Sequence, residues 1–237
     1  SATVTLPATE NNEQATLTAQ YVEENDGQRK LILDFPDGYK LEPNYTYTIT
    51  AKIDATEAAY QAYRNNNNEY PDTSTATRGN HAGEKGVFTN DGAKVTYDGG
   101  EKEYPKPVIQ LHPKTLTITK AVEGLDTVSD EYKQALTFTV EAGAYEDTIQ
   151  LSKFTSVPGQ TNKFTYTIKG LSPNAVYTVS ENADDVTVPN YVFDAKNSNA
   201  DAKTGNLPAW NDDKTVTTAE FTNKYQPSDH VLTVTKT

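Results

Sequence analysis

A strict two-residue alternation runs through the second half of this chain and makes it a sheet protein. In TLTITKAV, residues 115–122, Leu116, Ile118, Lys120 and Val122 share one parity, and Thr115, Thr117 and Thr119 share the other. Successive side chains of a strand point to opposite faces, so this segment reads as a strand with one face buried. Lys120 then falls on the apolar side, where an unpaired ammonium is costly. Two more segments break parity in the same way. Tyr177, Val179 and Glu181 share a face in VYTVSE, and Phe221, Asn223 and Tyr225 do in EFTNKY. A lysine, a carboxyl group and a carboxamide are thus aimed at one core from three strands.

Composition narrows the function. At 237 residues the chain has room for two ordinary domains or one large all-β domain. The 15 Tyr outnumber 7 Phe and 1 Trp, and with abundant Thr this suits half-exposed pleated surfaces better than helical bundles. No Cys is present. Disulfides, thiolate metal sites, cysteine nucleophiles and cysteine-derived thioesters are therefore excluded. A formal charge of −12 leaves no basic stripe to neutralise phosphates, which argues against a nucleic-acid partner and fits an extracellular protein. No apolar run approaches membrane-spanning length, so no membrane insertion is expected. No signal peptide opens the chain, which decides nothing, because a secreted protein loses its signal on maturation.

Along the chain, residues 1–113 read as one β-sandwich domain with a helical insertion. Tyr45, Tyr47, Ile49, Ala51 and Ile53 alternate with threonines and Lys52 in YTYTITAKI. DATEAAYQAYR then changes period, with Asp54 as N-cap and Glu57 three residues on, and Ala59, Tyr60 and Tyr63 as its apolar stripe. Asn65–Asn68 and residues 71–86 read as surface loop, and GVFTN, AKVTY and PVIQL as strands. In residues 114–226 the candidate strands are TLTITKAV, LTFTVEA, FTYTIKGL, VYTVSE and TAEFTNKY, with 194–214 as loop. Several short alternating strands in about 110 residues suggest an Ig-like sandwich. VLTVTKT, residues 231–237, then echoes TLTITKA. Residues 227–237 are thus expected to be a linker and the first strand of a following domain, in an array of similar units.

With Lys120, Glu181 and Asn223 in that order, residues 114–226 resemble the CnaB-type isopeptide domains of Gram-positive pilins and cell-wall adhesins. Those carry a lysine on the first strand, a glutamate ending a Y-T-V-x-E-like strand and an asparagine in a last F-x-N strand. The resemblance implies an autocatalytic cross-link between Lys120 and Asn223, with Glu181 as catalyst. Burial supplies the chemistry: desolvation disfavours the Lys120 ammonium and leaves a nucleophilic amine. Glu181, as a neutral acid in the same surroundings, hydrogen-bonds the Asn223 carboxamide and shuttles protons. The Lys120 amine attacks the Asn223 carboxamide carbon and ammonia leaves. Each residue alone has an ordinary use: Lys120 snorkelling, Glu181 capping a turn, Asn223 binding backbone. The three together favour the bond, a single turnover on the chain itself and not an enzyme activity.

Other signals are weaker. Phe88-Thr89-Asn90 echoes Phe221-Thr222-Asn223, and residues 1–113 resemble more loosely the neighbouring Ig-like domains of such proteins. A second bond through Asn90 needs an inward lysine. SATVTLP holds none, Lys52 faces outward by parity, and Lys30 shares a face with Ile32 beside the more apolar Leu31, Leu33 and Phe35. YPKP, residues 104–107, resembles the Y-P-K-N pilin motif whose lysine a sortase uses. Pro107 replaces the final Asn, so Lys106 reads better in an ordinary Pro-rich segment. LPATE, residues 6–10, lacks the glycine of a sortase signal and lies at the wrong end. Lys236 matches Lys120 by parity, as the reactive lysine of the next domain. Asp184/Asp185 and Asp212/Asp213 lack EF-hand spacing, and His81, His112 and His230 lie far apart, so no metal and no cofactor is expected.

The sequence therefore predicts an all-β chain of two tandem Ig-like β-sandwich domains, the first with a short helix. The expected setting is extracellular, on a cell wall, anchored through a segment outside this chain. The expected job is a stalk or pilus-backbone segment, its partners the neighbouring domains of the same array or other pilus subunits. The rival is an adhesin whose helix and 65–86 loop bind a host extracellular-matrix protein or a glycan.

Overall fold

In a computed structural model, residues 3–6, 8–23, 29–40, 54–90, 92–97, 99–183 and 186–228 are described. The fold is all-β with short helices. The chain divides into two compact units, Ser1–Ile53 and Asp54–Thr237. This division lies upstream of the 113/114 boundary expected from the sequence.

The first unit contains two antiparallel pairs. Strand β1 (Thr3–Leu6) pairs with β2 (Ala15–Thr18), and β3 (Gln20–Glu23) pairs with β4 (Arg29–Ile32). Leu6, Leu17 and Ala19 are its buried apolar residues among those described. The Asn12 side chain holds the Lys40 backbone by both its N–H and its C=O, each at 2.9 Å. The YTYTITAKI strand lies outside the described residues.

The second unit begins with helix α1 (Glu57–Asn65). Its N-cap is Thr56, whose hydroxyl accepts from the Ala59 N–H at 3.4 Å, and not Asp54. Thr56 wins because its oxygen reaches the third helical N–H, which places Glu57 at the first helical position. Glu57 instead accepts from the Ser172 hydroxyl and pairs with Arg64 at 3.5 Å, and Arg64 donates to the Gly170 carbonyl at 3.0 Å. Tyr60 is the buried residue of the helix. Short strands follow: β5 (Val87–Phe88), β6 (Ala93–Tyr97), β7 (Gly100–Tyr104) and β8 (Val108–Ile109), paired as β5 with β8 and β6 with β7. β7 is almost entirely polar and shows no alternating apolar face, so its sequence does not announce a strand.

The sandwich proper runs from β9 (Lys114–Glu123) through α2 (Asp130–Ala135), β10 (Thr137–Ala142), β11 (Tyr145–Gln150), β12 (Thr155–Ser156), β13 (Lys163–Leu171), β14 (Val176–Asn182), β15 (Tyr191–Phe193) and β16 (Lys203–Asn206) to β17 (Val216–Pro227). One sheet has the order β11-β10-β14-β16 and the other β12-β13-β9-β17-β15. Their inward residues form one core, including Leu116, Ile118, Phe138, Val140, Val179 and Phe221. The five expected strands of this region are all present. β16 corrects the loop expected over 194–214; its pairing with β14 supplies the order that its polar sequence does not advertise. The first and last strands of the sandwich, β9 and β17, run side by side and parallel.

Candidate functional site

The alternation of β9 continues into the core as expected: Leu116, Ile118 and Lys120 are fully buried and Val122 nearly so. Register then sets the neighbours of Lys120. Phe164 on β13 stands opposite it on one side, and Phe221 on β17 on the other. Asn223 is two residues beyond Phe221, opposite Val122, so it shares the inward face with Lys120 and is its diagonal neighbour. Glu181 comes from the other sheet, opposite Phe138 on β10. Two polar side chains of one sheet thus meet a carboxylate descending from the facing sheet.

The three groups are joined. Lys120 Nζ lies 2.6 Å from Glu181 Oε2, and Asn223 Nδ2 donates to Glu181 Oε1. The Lys120 side chain is 0% exposed, that of Glu181 1%, and Asn223 0%. Burial lowers the Lys120 ammonium to about 8, opposed by the Glu181 carboxylate beside it and reinforced weakly by Lys203. At pH 7, freeing that amine costs about 1.4 kcal/mol, against about 5 for an ordinary lysine. One carboxylate therefore faces an amine that gives up its proton readily and a carboxamide whose carbon is electrophilic. In such a site the carboxylate takes a proton from nitrogen and hands it on, and the amine is the nucleophile.

Around this trio stand residues to which the sequence assigned no role. Tyr132, on α2, has its hydroxyl 3.5 Å from Asn223 Nδ2 and accepts from the Tyr225 hydroxyl at 3.3 Å. Their rings meet edge-on, with centroids 5.9 Å apart, and burial pushes both phenols up. The Ser129 hydroxyl caps α2 by accepting from the Tyr132 N–H at 3.2 Å. A signal was present: Val128, Tyr132 and Leu136 recur every fourth residue and all are buried. Lys203 projects its ammonium over the Phe221 ring, 5.0 Å from the centroid. Lys114 is a second buried lysine on the same face of β9, its Nζ donating to the Asp212 and Lys214 carbonyls at 3.0 and 3.2 Å.

The weaker candidates are dispersed. Asn90 is exposed after β5, its amide donating to Thr89 Oγ1 at 3.4 Å. Lys30 is exposed on β4 in the first unit. Lys106 is exposed, with its ammonium 5.8 Å from the Phe88 ring centroid. Lys236, Lys52 and the Asp184/Asp185 pair lie outside the described residues. Among the described residues, no three His, Cys, Asp or Glu side chains are grouped as metal ligands. No helix there is long and apolar enough to cross a membrane.

Residues 2–110 match the family described as a domain of unknown function, DUF7604. That match stops short of the sandwich and its buried trio. No curated protein matches the sequence. Among solved structures, two crystal forms of a bacterial adhesin from Mobiluncus mulieris containing intramolecular disulfide, isopeptide and ester bond cross-links align at 16% identity. They cover 54% and 56% of this chain, with TM-scores of 0.28 and 0.30. The alignment takes in 45% and 46% of the adhesin chains, so this chain spans less than half their length.

Proposed function

We propose that this chain is a load-bearing segment of a bacterial surface protein, a stalk or pilus-backbone piece. An intramolecular isopeptide bond between Lys120 and Asn223 closes its sandwich. The observation that carries this reading is the single buried carboxylate of Glu181 contacting both Lys120 Nζ and Asn223 Nδ2. Glu181 takes the proton of the Lys120 ammonium. The freed amine attacks Asn223 Cγ, Glu181 gives its proton to Nδ2, the Cγ–Nδ2 bond breaks and ammonia leaves, while Glu181 takes a second proton from Nζ so that one N–H remains in the new amide. The product is an amide between adjacent parallel strands, and Glu181 regains its carboxylate when its second proton passes to the departing ammonia, which leaves as ammonium. No oxidant or cofactor enters. The bond does for a chain without cysteine what a disulfide does elsewhere, and it resists reduction.

The neighbours in such a protein are further domains of the same array, outside the cell and held at the wall. Intact mass tests the reading. The purified chain is expected to be one ammonia lighter than its sequence, with a cross-linked peptide joining Lys120 to Asn223. In Glu181→Ala, loss of proton transfer worth roughly 10²–10⁴-fold in rate should leave the sequence mass unchanged on a folded protein. Full sequence mass in the wild type, with both peptides recovered linear, would sink the proposal.

A further inference from the structure

Amide formation passes through a tetrahedral intermediate with negative charge on the former carboxamide oxygen, and such an oxyanion needs donors aimed at it. Asn223 Oδ1 is buried and has no hydrogen-bond partner among the described residues. Its nitrogen, by contrast, faces two oxygens, Glu181 Oε1 and Tyr132 Oη. A buried carbonyl oxygen without a donor is costly, and a half-turn of the carboxamide exchanges its two ends in nearly the same volume. In the turned orientation Oδ1 sits between the Tyr132 hydroxyl and the Glu181 carboxyl, and both are donors once Glu181 holds the Lys120 proton. Tyr225 donates its own proton to Tyr132 Oη, which leaves the Tyr132 proton available for the oxygen.

Resting on the cross-link proposed above, we infer that Tyr132 is a second catalytic residue: its hydroxyl donates to the Asn223 oxyanion while Lys120 attacks. Tyr225 acts through Tyr132 and is a positioning residue. The surroundings suit both roles. Burial keeps both phenols protonated across the ordinary pH range, so the donor persists wherever the protein is folded. Helix α2 is short and packs Tyr132 into the core at 4% exposure, with its backbone N–H held by Ser129. The hydroxyl therefore has little freedom to turn away, and a preorganised donor costs no reorganisation when charge develops. No bond to Tyr132 forms or breaks. The proton inventory is the one given above: once the carbon is tetrahedral, rotation about the Asn223 Cβ–Cγ bond returns the amino group to Glu181, which protonates it before it leaves.

The test follows the reaction in time, by pulse synthesis of the full chain in a cell-free system and intact mass during the chase. Tyr132→Phe should slow ammonia loss at least tenfold, because one of two oxyanion donors is gone. Tyr225→Phe should slow it a fewfold, and the Tyr132→Phe/Tyr225→Phe double variant should be no slower than Tyr132→Phe alone. Replacing Tyr132 with 3,5-difluorotyrosine keeps a hydroxyl donor and should hold the rate within threefold of wild type. Melting in the unbonded Glu181→Ala background separates chemistry from packing: Tyr132→Phe and Tyr225→Phe break the same hydrogen bond there and should lower the midpoint by similar amounts, within a few degrees of each other. Three results would each overturn the assignment: wild-type kinetics in Tyr132→Phe, multiplicative slowing in the double variant, or an unbonded melt that Tyr132→Phe lowers far more than Tyr225→Phe does. A wild-type chain that never loses ammonia fails the cross-link itself, and the role of Tyr132 with it.

Discussion

Lys114 and Lys120 share one face of β9 and both are buried, yet their ammonium groups meet different chemistry. Lys114, at the strand's first residue, reaches two backbone carbonyls of the 212–214 turn, neutral acceptors that offer nothing to react with. Lys120 is enclosed by Phe164 and Phe221 and meets Glu181 and, through it, Asn223. The lowered value of Lys120 has a measurable consequence in a protein that cannot form the bond. Folded, the ammonium titrates near 8; unfolded, near its ordinary value of 10.5. Between those values the unfolded chain binds more protons, so stability rises with pH. Asn223→Ala, which keeps Lys120 and Glu181, should gain up to about 3 kcal/mol from pH 8 to pH 10.5 relative to Asn223→Ala/Lys120→Met, measured by urea unfolding. Equal pH dependence in the two variants would show that Lys120 is not desolvated.

The element that matters most is the parallel pair of β9 and β17. Parallel neighbours cannot be joined by a tight turn, so everything between them, α2 and the whole second sheet included, is one long connection. Just past β9 the chain must clear β17 closely. Gly124 has φ of +85°, and a Cβ placed there would run into the Tyr225 carbonyl oxygen. No side chain fits without pushing the two strands apart, just where Asn223 is positioned. Gly124→Ala should therefore cost more than about 2 kcal/mol, combining a left-handed backbone with a backbone clash. It should also leave part of the protein unlinked, read as a mixed population in the intact mass. A fully linked, equally stable Gly124→Ala protein would show that this close approach is not needed.

On the scale of the whole sandwich, the bond changes where tension travels. Force entering at Lys114 runs along β9 to Lys120, crosses to Asn223 and leaves along β17 to Pro227. Residues 121–222 are then off the load path, with both sheets' remaining strands and α2 shielded. Pulled by its ends, the wild-type chain should show no extension event from this sandwich. Glu181→Ala should add one of roughly 35 nm, about 3.5 Å for each of roughly 100 released residues. A wild-type sandwich that lengthens by that amount under force would remove the load-bearing role. The unlinked sandwich should also be the weaker one at equilibrium, by about 5 kcal/mol on the loop-closure reasoning used for disulfides.

What the sequence determined by itself was parity. Alternation put Lys120, Glu181 and Asn223 on inward faces, because a strand's two-residue period leaves a side chain only two places to go. It could not say that the three inward faces meet, since that depends on strand order, on register and on the pairing of two sheets. Long-range pairing placed Phe164 and Phe221 on either side of Lys120 and brought Glu181 from the opposite layer. Polar strands such as β7 and β16 are not legible in the sequence because their order comes from a partner's backbone and not from an apolar face of their own. Tyr132 escapes a sequence reading for a related reason. Its helical spacing is legible, but its hydroxyl gains meaning only from Asn223, a residue far away in sequence that folding sets 3.5 Å from it.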